Sequence, residues 1–266
     1  MPKFKAMDTI ERFREDGIVL LDGLLSGTTI DAFREVALSR CERQPYVFGQ
    51  ELFLSYPEAV LSLIANNSVL DFCDAIFGPY YQLDSFSVVG IPAGSSLGIS
   101  WHRDIFGSVP RGTTFQRPMA LNLLVYLQNL TNQVGPLRVL PKSHRRPMTI
   151  PDSRRSTPHP EEVLHFPKRG DGVLIHNNLV HSRSQNQSPH DRIHLSVVYS
   201  LSCMRQTIDT SAPALANIVR AVRAVGDPRL LRLFGFDPNY RDKYNSGSVA
   251  NEKKEWARWL LRERAM

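Results

Sequence analysis

A series of short apolar segments separated by turn-forming residues is the feature that most constrains the fold of this chain. Six such segments follow one another within about 120 residues from Tyr80: QLDSFSVVGIP, SWHRDIF, MALNLLVYLQNL, LRVLPKS, GDGVLIHNN and RIHLSVVYSLS. Short strands at this spacing, bounded by Gly, Pro and Asn, are typical of an antiparallel sandwich or barrel. The sequence therefore predicts a β-barrel core over residues ~80–205.

Helical periodicity occurs on both sides of this core. Before it, DTIERFREDG, TTIDAFREVALSRCER and YPEAVLSLIANNSVLDFCDAIFG place apolar residues at helical spacing, and IVLLDGLLS is a short apolar run that predicts one strand. After it, the helical pattern resumes in ALANIVRAVRAV, DPRLLRLFGF and ANEKKEWARWLLRERAM. A length of 266 residues, 42% of them hydrophobic, suffices for one core. We expect a single domain over 1–266, with a helical N-terminal region ~1–79 and a helical C-terminal extension ~211–266.

Charge and cysteine content limit the partners and the compartment. The net charge is +6, but the basic residues are dispersed and form no stripe interleaved with aromatic residues, which argues against nucleic acid and favours an anionic small molecule. The three cysteines lack CxxC spacing, and neither an apolar leader nor a stretch of 18 apolar residues is present. We expect a cytoplasmic protein that does not act at a membrane, and a homo-oligomer that would associate through the C-terminal helices.

The segment SWHRDIFG combines two potential metal ligands. His102 and Asp104 are two residues apart, so in an extended strand both side chains point to the same face. Two histidines and one carboxylate that leave three positions open are the ligand set of non-heme Fe(II) oxygenases. A third ligand is expected in LIHNNLVHSRSQNQSPHDRIHL, where the spacing alone leaves four candidates open: His176, His181, His190 and His194.

The order of these motifs resembles a known family. WHRD, then NLLVYLQNLTNQVGPLRVLPKSHR, then GDGVLIHNNLVHSRSQNQSPHDRIHLSVVY is similar to the phytanoyl-CoA dioxygenase family of iron- and 2-oxoglutarate-dependent oxygenases, over roughly residues 10 to 205. The resemblance implies a mainly β fold with flanking helices and a double-stranded β-helix core, the jelly roll that cupins share. In that family the distal iron histidine precedes an arginine by eleven residues. His181 and Arg192 have this separation.

The resemblance also implies the cofactors and their ligands. His102, Asp104 and His181 would hold Fe(II), and O2 and 2-oxoglutarate would be cosubstrates, with succinate and CO2 released as an unactivated C–H bond is hydroxylated. Arg192 would pair with the far carboxylate of 2-oxoglutarate, with Ser188 adding a hydroxyl and Asn122 a polar contact from the barrel interior.

The family pattern HGSxxNxSxxxR is not kept in full. Its serine two residues after the histidine is Arg183 in this chain. The carboxylate Asp104, which related halogenases replace with Gly or Ala, is retained, and this argues against halogenation.

The substrate is predicted only as a small organic metabolite or natural product. Arg111 and Arg117 lie in IFGSVPRGTTFQRP, a segment that joins two predicted strands, and are candidates for contacting it. Desaturation, cyclisation or C–N cleavage with the same cofactors remains an alternative reaction. A barrel that binds a ligand without catalysis, or a cupin-type isomerase, is the alternative of another class.

Overall fold

The structure is a computed structural model that describes residues 6–39, 46–49, 52–96, 98–104, 117–236 and 261. Its described residues divide into two compact units. Unit 1 takes its residues from the ranges 3–49 and 86–198, and unit 2 takes them from 50–85 and 199–266. The single domain expected from the sequence stays a prediction.

Seven helices are present in the described residues. They are α1 (Ala6–Asp16), α2 (Gly27–Ser39), α3 (Leu52–Ser55), α4 (Pro57–Ile64), α5 (Asn67–Phe77), α6 (Pro213–Val225) and α7 (Pro228–Leu233). Their ends follow local chemistry. The Asn66 side chain caps α5 by accepting hydrogen bonds from the backbone N–H groups of Ser68 and Val69, and Pro57 and Pro213 lie at the starts of α4 and α6, where no N–H is needed.

Ten strands form two antiparallel sheets in the described part of the chain. They are β1 (Ile18–Leu21), β2 (Tyr46–Phe48), β3 (Tyr81–Ile91), β4 (Ile99–His102), β5 (Ala120–Tyr126), β6 (Leu137–Val139), β7 (Val163–His165), β8 (Gly172–His176), β9 (His181–Arg183) and β10 (Arg192–Leu201). The larger sheet has the order β1-β8-β5-β10-β3-β2, and the smaller has the order β4-β9-β6-β7. The sequence did not predict β2, β7 and β9, each of three residues.

The core of unit 1 lies between the two sheets. Alternate residues of β5, β6 and β8 point inward and form one buried apolar cluster that comprises Leu124, Tyr126, Leu137, Val139, Val173 and Ile175, together with Leu130 and Leu179. On the opposite side of the larger sheet, Phe33 of α2 packs against Phe86 of β3 with ring centroids 6.2 Å apart. The sheets are therefore covered on the outside by a helix and joined on the inside by an apolar layer.

A buried histidine links the loop after β6 to α1. His144 is fully buried, and its Nε2 lies 3.1 Å from the carbonyl oxygen of Arg14. Because a carbonyl can only accept, Nε2 carries the proton and Nδ1 does not. Gly17 ends α1 with a φ of 80°, and a Cβ at Gly17 would lie 2.6 Å from that Nδ1. This arrangement gives His144 a structural role.

Unit 2 buries the apolar stripe of α6. Leu215, Ile218, Val219 and Val222 are 0–8% exposed, whereas Val225 is 70% exposed. Arg229 and Arg232 of α7 form ion pairs with Asp74 of α5 at 3.1 and 3.2 Å. The apolar face of α6 is thus largely covered, and association through the C-terminal helices stays a prediction. Among the described helices none alone is long and apolar enough to cross a membrane. Taken together, α4 and α5 are long and apolar enough, and they are bent by 42° at the break between them.

The buried His144 predicts loss of stability in acid. Burial lowers its pKa from 6.5, so below about pH 6.5 the unfolded chain binds a proton that the folded chain does not. The free energy of unfolding should therefore fall as the pH drops below this value, by up to about 1.4 kcal/mol per pH unit for one such group. In urea denaturation between pH 7.5 and 5, the free energy of unfolding of His144→Gln should decline less steeply than that of wild type. The exposed control His190→Gln should decline as steeply as wild type. Equal slopes for His144→Gln and wild type would contradict this role.

Candidate metal and cosubstrate site

Two histidines face each other across the smaller sheet. His102 of β4 is the direct partner of His181 of β9, and their ring centroids are 4.2 Å apart. On the other side of β9, Val139 of the apolar core pairs with His181, so that imidazole is only 6% exposed. The pairing register of β4 with β9 shifts between Ile99 and His102, and after this shift His102 lies opposite His181.

The ring orientations leave one nitrogen of each histidine for a ligand. Nδ1 of His102 lies 2.8 Å from the carbonyl oxygen of Ser100, and Nδ1 of His181 lies 3.0 Å from that of Leu179. Each Nδ1 therefore donates, and each Nε2 keeps its lone pair. Burial and the nearby His181 lower the pKa of His102, which favours the neutral form that a metal requires.

Asp104 completes a cluster of three potential metal ligands. Its Oδ1 lies 3.6 Å from Nε2 of His102 and 3.7 Å from Nε2 of His181. The three ligand atoms all lie within 4.8 Å of one another, the only grouping of this kind among the described His, Cys, Asp and Glu residues. Two imidazoles and a carboxylate on one side of a shared point are suited to a divalent transition metal, with the opposite side left open.

The second oxygen of Asp104 is held by the larger sheet. The side-chain amide of Asn122 on β5 donates to Oδ2 of Asp104 at 3.1 Å, and its own oxygen accepts from the hydroxyl of Ser196 on β10 at 2.9 Å. Asn122 therefore orients a candidate metal ligand, whereas the sequence suggested a contact to the cosubstrate. No feature of the sequence alone pointed to Ser196.

Arg192 lies on the same face of β10 as Ser196, at the start of that strand. It is four residues from Ser196, hence on the same side of the strand and about 13 Å along it. The guanidinium is 1% exposed; Nε donates to the carbonyl oxygen of Gly135 at 3.1 Å, and a terminal nitrogen lies 3.3 Å from Nδ1 of His194. It also lies over the ring of Tyr126 at 5.4 Å. Gly135 thus contacts this charged group through its carbonyl oxygen.

Buried charge dominates the electrostatics of this region. Arginine always donates, so Nδ1 of His194 accepts from Arg192 and its proton resides on Nε2. Burial lowers the pKa of His194 well below its usual value, and the charges of Arg192 and Arg183 lower it further. His194 is therefore neutral beside a cation. Within the described residues, no carboxylate forms an ion pair with Arg192.

Of the three further residues predicted to contact cosubstrate or substrate, the structure describes Ser188 and Arg117. The hydroxyl of Ser188 donates to Oδ1 of Asn186 at 2.7 Å and lies 2.9 Å from the carbonyl oxygen of His190, which makes it part of a turn. These bonds give Ser188 partners within the turn, and its contact with the cosubstrate stays a prediction. Arg117 is exposed at the edge of the described range, and Arg111 lies outside the described residues.

Two other candidates for the third ligand, and the residues next to His102, are not part of the three-residue cluster. His176 is fully buried and stacks on Phe13 at 6.1 Å, and His190 is exposed. Trp101 is 2% exposed and donates from its indole to the carbonyl oxygen of Thr157, as expected for core packing. Arg103 donates to the carbonyl oxygen of Asn178 at 2.6 Å, so it fastens a loop to β4.

Comparisons with known proteins identify the family and the fold. The family described as phytanoyl-CoA dioxygenase (PhyH) matches residues 13–194. Among solved structures, the non-heme alpha-ketoglutarate-dependent epimerase SnoN from nogalamycin biosynthesis is 20% identical with a TM-score of 0.57, covering 73% of this chain and 80% of that chain. HygX from Streptomyces hygroscopicus with nickel and 2-oxoglutarate bound is 15% identical with a TM-score of 0.63, covering 76% and 90%. These likenesses confirm the fold predicted from the sequence.

The three-donor cluster predicts a stoichiometric divalent metal site. His102→Ala, Asp104→Ala and His181→Ala should each abolish one-to-one binding of Ni(II) in isothermal titration calorimetry, because two donors remain where three are needed. Circular dichroism should show that the fold is retained, and His190→Ala should bind like wild type. Wild-type affinity in any of the three variants would exclude that residue as a ligand.

The hydrogen bond from Asn122 predicts a graded effect on the same site. Asn122→Leu should weaken Ni(II) binding by about 10–100-fold, the range typical when a group that orients a ligand is removed. Ser196→Ala should have a smaller effect, because Asn122 keeps its bond to Asp104. Ser39→Ala is the control, since that hydroxyl donates to the carbonyl oxygen of Val36 within α2 and contacts neither Asn122 nor β4 or β9. Unchanged affinity in Asn122→Leu would show that Asp104 needs no such support.

Proposed function

The chain belongs to the phytanoyl-CoA dioxygenase family, and from this premise we propose that it is an Fe(II)- and 2-oxoglutarate-dependent oxygenase that hydroxylates an unactivated C–H bond of a small organic molecule, with release of succinate and CO2. One observation carries the proposal. The potential metal ligands His102, Asp104 and His181 lie in the same β-sandwich as a buried arginine, Arg192. A ligand-binding barrel without catalysis gives no reason for this combination.

The donor set fits the iron that the family uses. His102 and His181 would supply neutral imidazoles from Nε2, and Asp104 would supply one carboxylate oxygen, with its other oxygen kept in place by Asn122. When bound, Fe(II) supplies the redox chemistry with O2 and 2-oxoglutarate that a protein side chain cannot. The chain contributes orientation, because both imidazoles are fixed by backbone carbonyls and by direct cross-strand pairing.

Arg192 is the residue we assign to the far carboxylate of 2-oxoglutarate. Its planar guanidinium matches a carboxylate bidentately, and its Nε is already anchored to Gly135. Leu124 and Tyr126, 7% and 0% exposed, form part of the apolar wall beside it and limit water at this end. A charge-assisted hydrogen bond gains strength when water is excluded.

The substrate class is proposed as a natural product or related metabolite. SnoN and the carbocyclase SnoK come from nogalamycin biosynthesis, and HygX is also solved with hygromycin B bound. The net charge of +6 and the exposed Arg117 support an anionic substrate. Because similar structures include an epimerase and a carbocyclase, a cyclisation or desaturation outcome is the second candidate.

Arg192 provides the test of the proposed function. Under anaerobic conditions, Fe(II)-loaded wild type should develop the weak visible charge-transfer band of the 2-oxoglutarate chelate. Arg192→Lys should bind 2-oxoglutarate more weakly by about 1.5–3 kcal/mol, because lysine keeps the charge but loses the bidentate fork. The band should therefore need a roughly 10–100-fold higher concentration of 2-oxoglutarate. The exposed control Arg154→Lys should titrate like wild type. Absence of the band in fully metallated wild type would refute the proposed function.

A further inference from the structure

Arg103 lies between two of the three potential metal ligands. It follows His102 and precedes Asp104 in the chain. Those two neighbours bring their ligand atoms within 3.6 Å of each other, whereas the guanidinium of Arg103 contacts backbone carbonyl oxygens of two other segments. Alternation of side chains along an extended chain accounts for this division. The charge of Arg103 is therefore directed at the backbone behind the metal cluster.

The first of these segments leads to the third ligand. One terminal nitrogen of Arg103 donates to the carbonyl oxygen of Asn178 at 2.6 Å. The next carbonyl along the chain, that of Leu179, accepts from Nδ1 of His181 and sets the orientation of that ring. Asn178 is also fixed from its other side, because its backbone N–H donates to Nδ1 of His176 at 2.9 Å. Arg103 thus holds the peptide unit next to the one that orients His181.

The second segment is the loop between β6 and β7. The other terminal nitrogen of Arg103 donates to the carbonyl oxygen of Met148 at 3.3 Å and lies 3.5 Å from that of Arg146. The side chain of Met148 packs against a buried apolar cluster that comprises Trp101, Leu140 and Val180. This cluster contains the residue that precedes each of the two histidine ligands. Polar and apolar contacts therefore join the same three segments of chain.

Strand pairing in the described residues stops short of Asp104. The ladder between β4 and β9 ends with the pair His102 and His181, so Asp104 lies two residues beyond the last paired position. Asn122 holds the carboxylate of Asp104, but it contacts the side chain and not the backbone. Arg103 is the residue between the last pair and Asp104. Its hydrogen bonds fasten the chain at the point where the ladder no longer does.

This fastening matters because ligand positions must be accurate. A functional constellation requires its groups within about 0.5 Å of the productive geometry, held by the residues around them. Here Asp104 and His181 come from separate segments, and the two terminal nitrogens of one planar guanidinium reach both the connection before β9 and the loop after β6. Hydrogen bonds from a charged donor are stronger than neutral ones, which suits them to this task.

We propose that Arg103 is a positioning residue for the metal centre, which sets the position of Asp104 relative to His181 by tying the end of β4 to the carbonyl oxygens of Asn178 and Met148. It acts through the backbone and is not itself a ligand. The inference rests on the proposed metal site, and it assigns to this site a residue on the face of the chain opposite to the ligands.

Metal titration of the full-length protein tests this role. Arg103→Met, which has no donor, should bind Ni(II) about 10–100-fold more weakly in calorimetry, the range for groups that orient metal ligands. At saturating Co(II), its visible absorption bands should differ from those of wild type, because these bands report the ligand geometry of the bound ion. Arg103→Lys should lie between the two in both measurements, since one ammonium nitrogen replaces two terminal nitrogens.

Arg229→Met is the control for a loss of stability. Arg229 of α7 forms ion pairs with Asp71 and Asp74 of α5, and removing a partner of a buried charge destabilises a protein. The melting temperature of this variant should fall, while its Ni(II) affinity and its Co(II) bands should remain those of wild type. The comparison separates a general loss of stability from a change at the metal site.

Three results would overturn the positioning role. They are Ni(II) affinity of Arg103→Met within twofold of wild type, weaker binding with wild-type Co(II) bands, and wild-type behaviour of Arg103→Lys in both measurements. The last result is decisive even where Arg103→Met does not fold.

Failure of the proposed function is read separately, from the chelate band of Fe(II)-loaded wild type with 2-oxoglutarate. Metal binding that depends on Arg103 without this band supports the positioning role and rejects the oxygenase. The band together with metal binding that does not depend on Arg103 supports the oxygenase and rejects the positioning role.

Discussion

The pairing of His102 with His181 across β4 and β9 is the constraint on which the candidate site depends. Backbone hydrogen bonds between two short strands hold the imidazoles opposite each other, and each ring is oriented by a carbonyl oxygen two residues before it. The carboxylate of Asp104 lies beyond the end of β4 and is steadied from the larger sheet by Asn122. The apolar layer between the sheets therefore fixes the separation of the metal ligands as well as stabilising the fold.

Binding strength and stability oppose each other deeper in the barrel. Burial of Arg183 and Arg192 among apolar residues costs free energy in the empty protein, because neither charge keeps its full hydration. The same burial strengthens each hydrogen bond to an arriving anion. If an anion binds Arg192 as proposed, the folded protein gains stability from that ligand by mass action.

The sequence predicted the long elements well and the short ones poorly. β3, β5, β8 and β10 contain enough apolar residues to show a strand pattern, and the helices show a clear period, whereas β9, with the sequence HSR, is polar and too short for any alternation. His181 was therefore selected through its separation from Arg192 and not through its strand. The contacts of Asn122 with Asp104 and of Gly135 with Arg192 depend on residues far apart in sequence, which no local pattern contains. Ser188 matched the family motif, but the structure uses it in a turn.

Alternation of side chains along the strands limits how such a chain can diverge. His102 and Asp104, His181 and Arg183, and Arg192, His194 and Ser196 are each two residues apart along the chain. Insertion or deletion of one residue within any of these intervals would turn one of the two side chains to the other face of the sheet. A substitution would leave both positions on the same face. Changes of length are therefore tolerated only in the connections between strands. Relatives that evolve new substrates would then be expected to keep strand lengths constant and to differ in their loops.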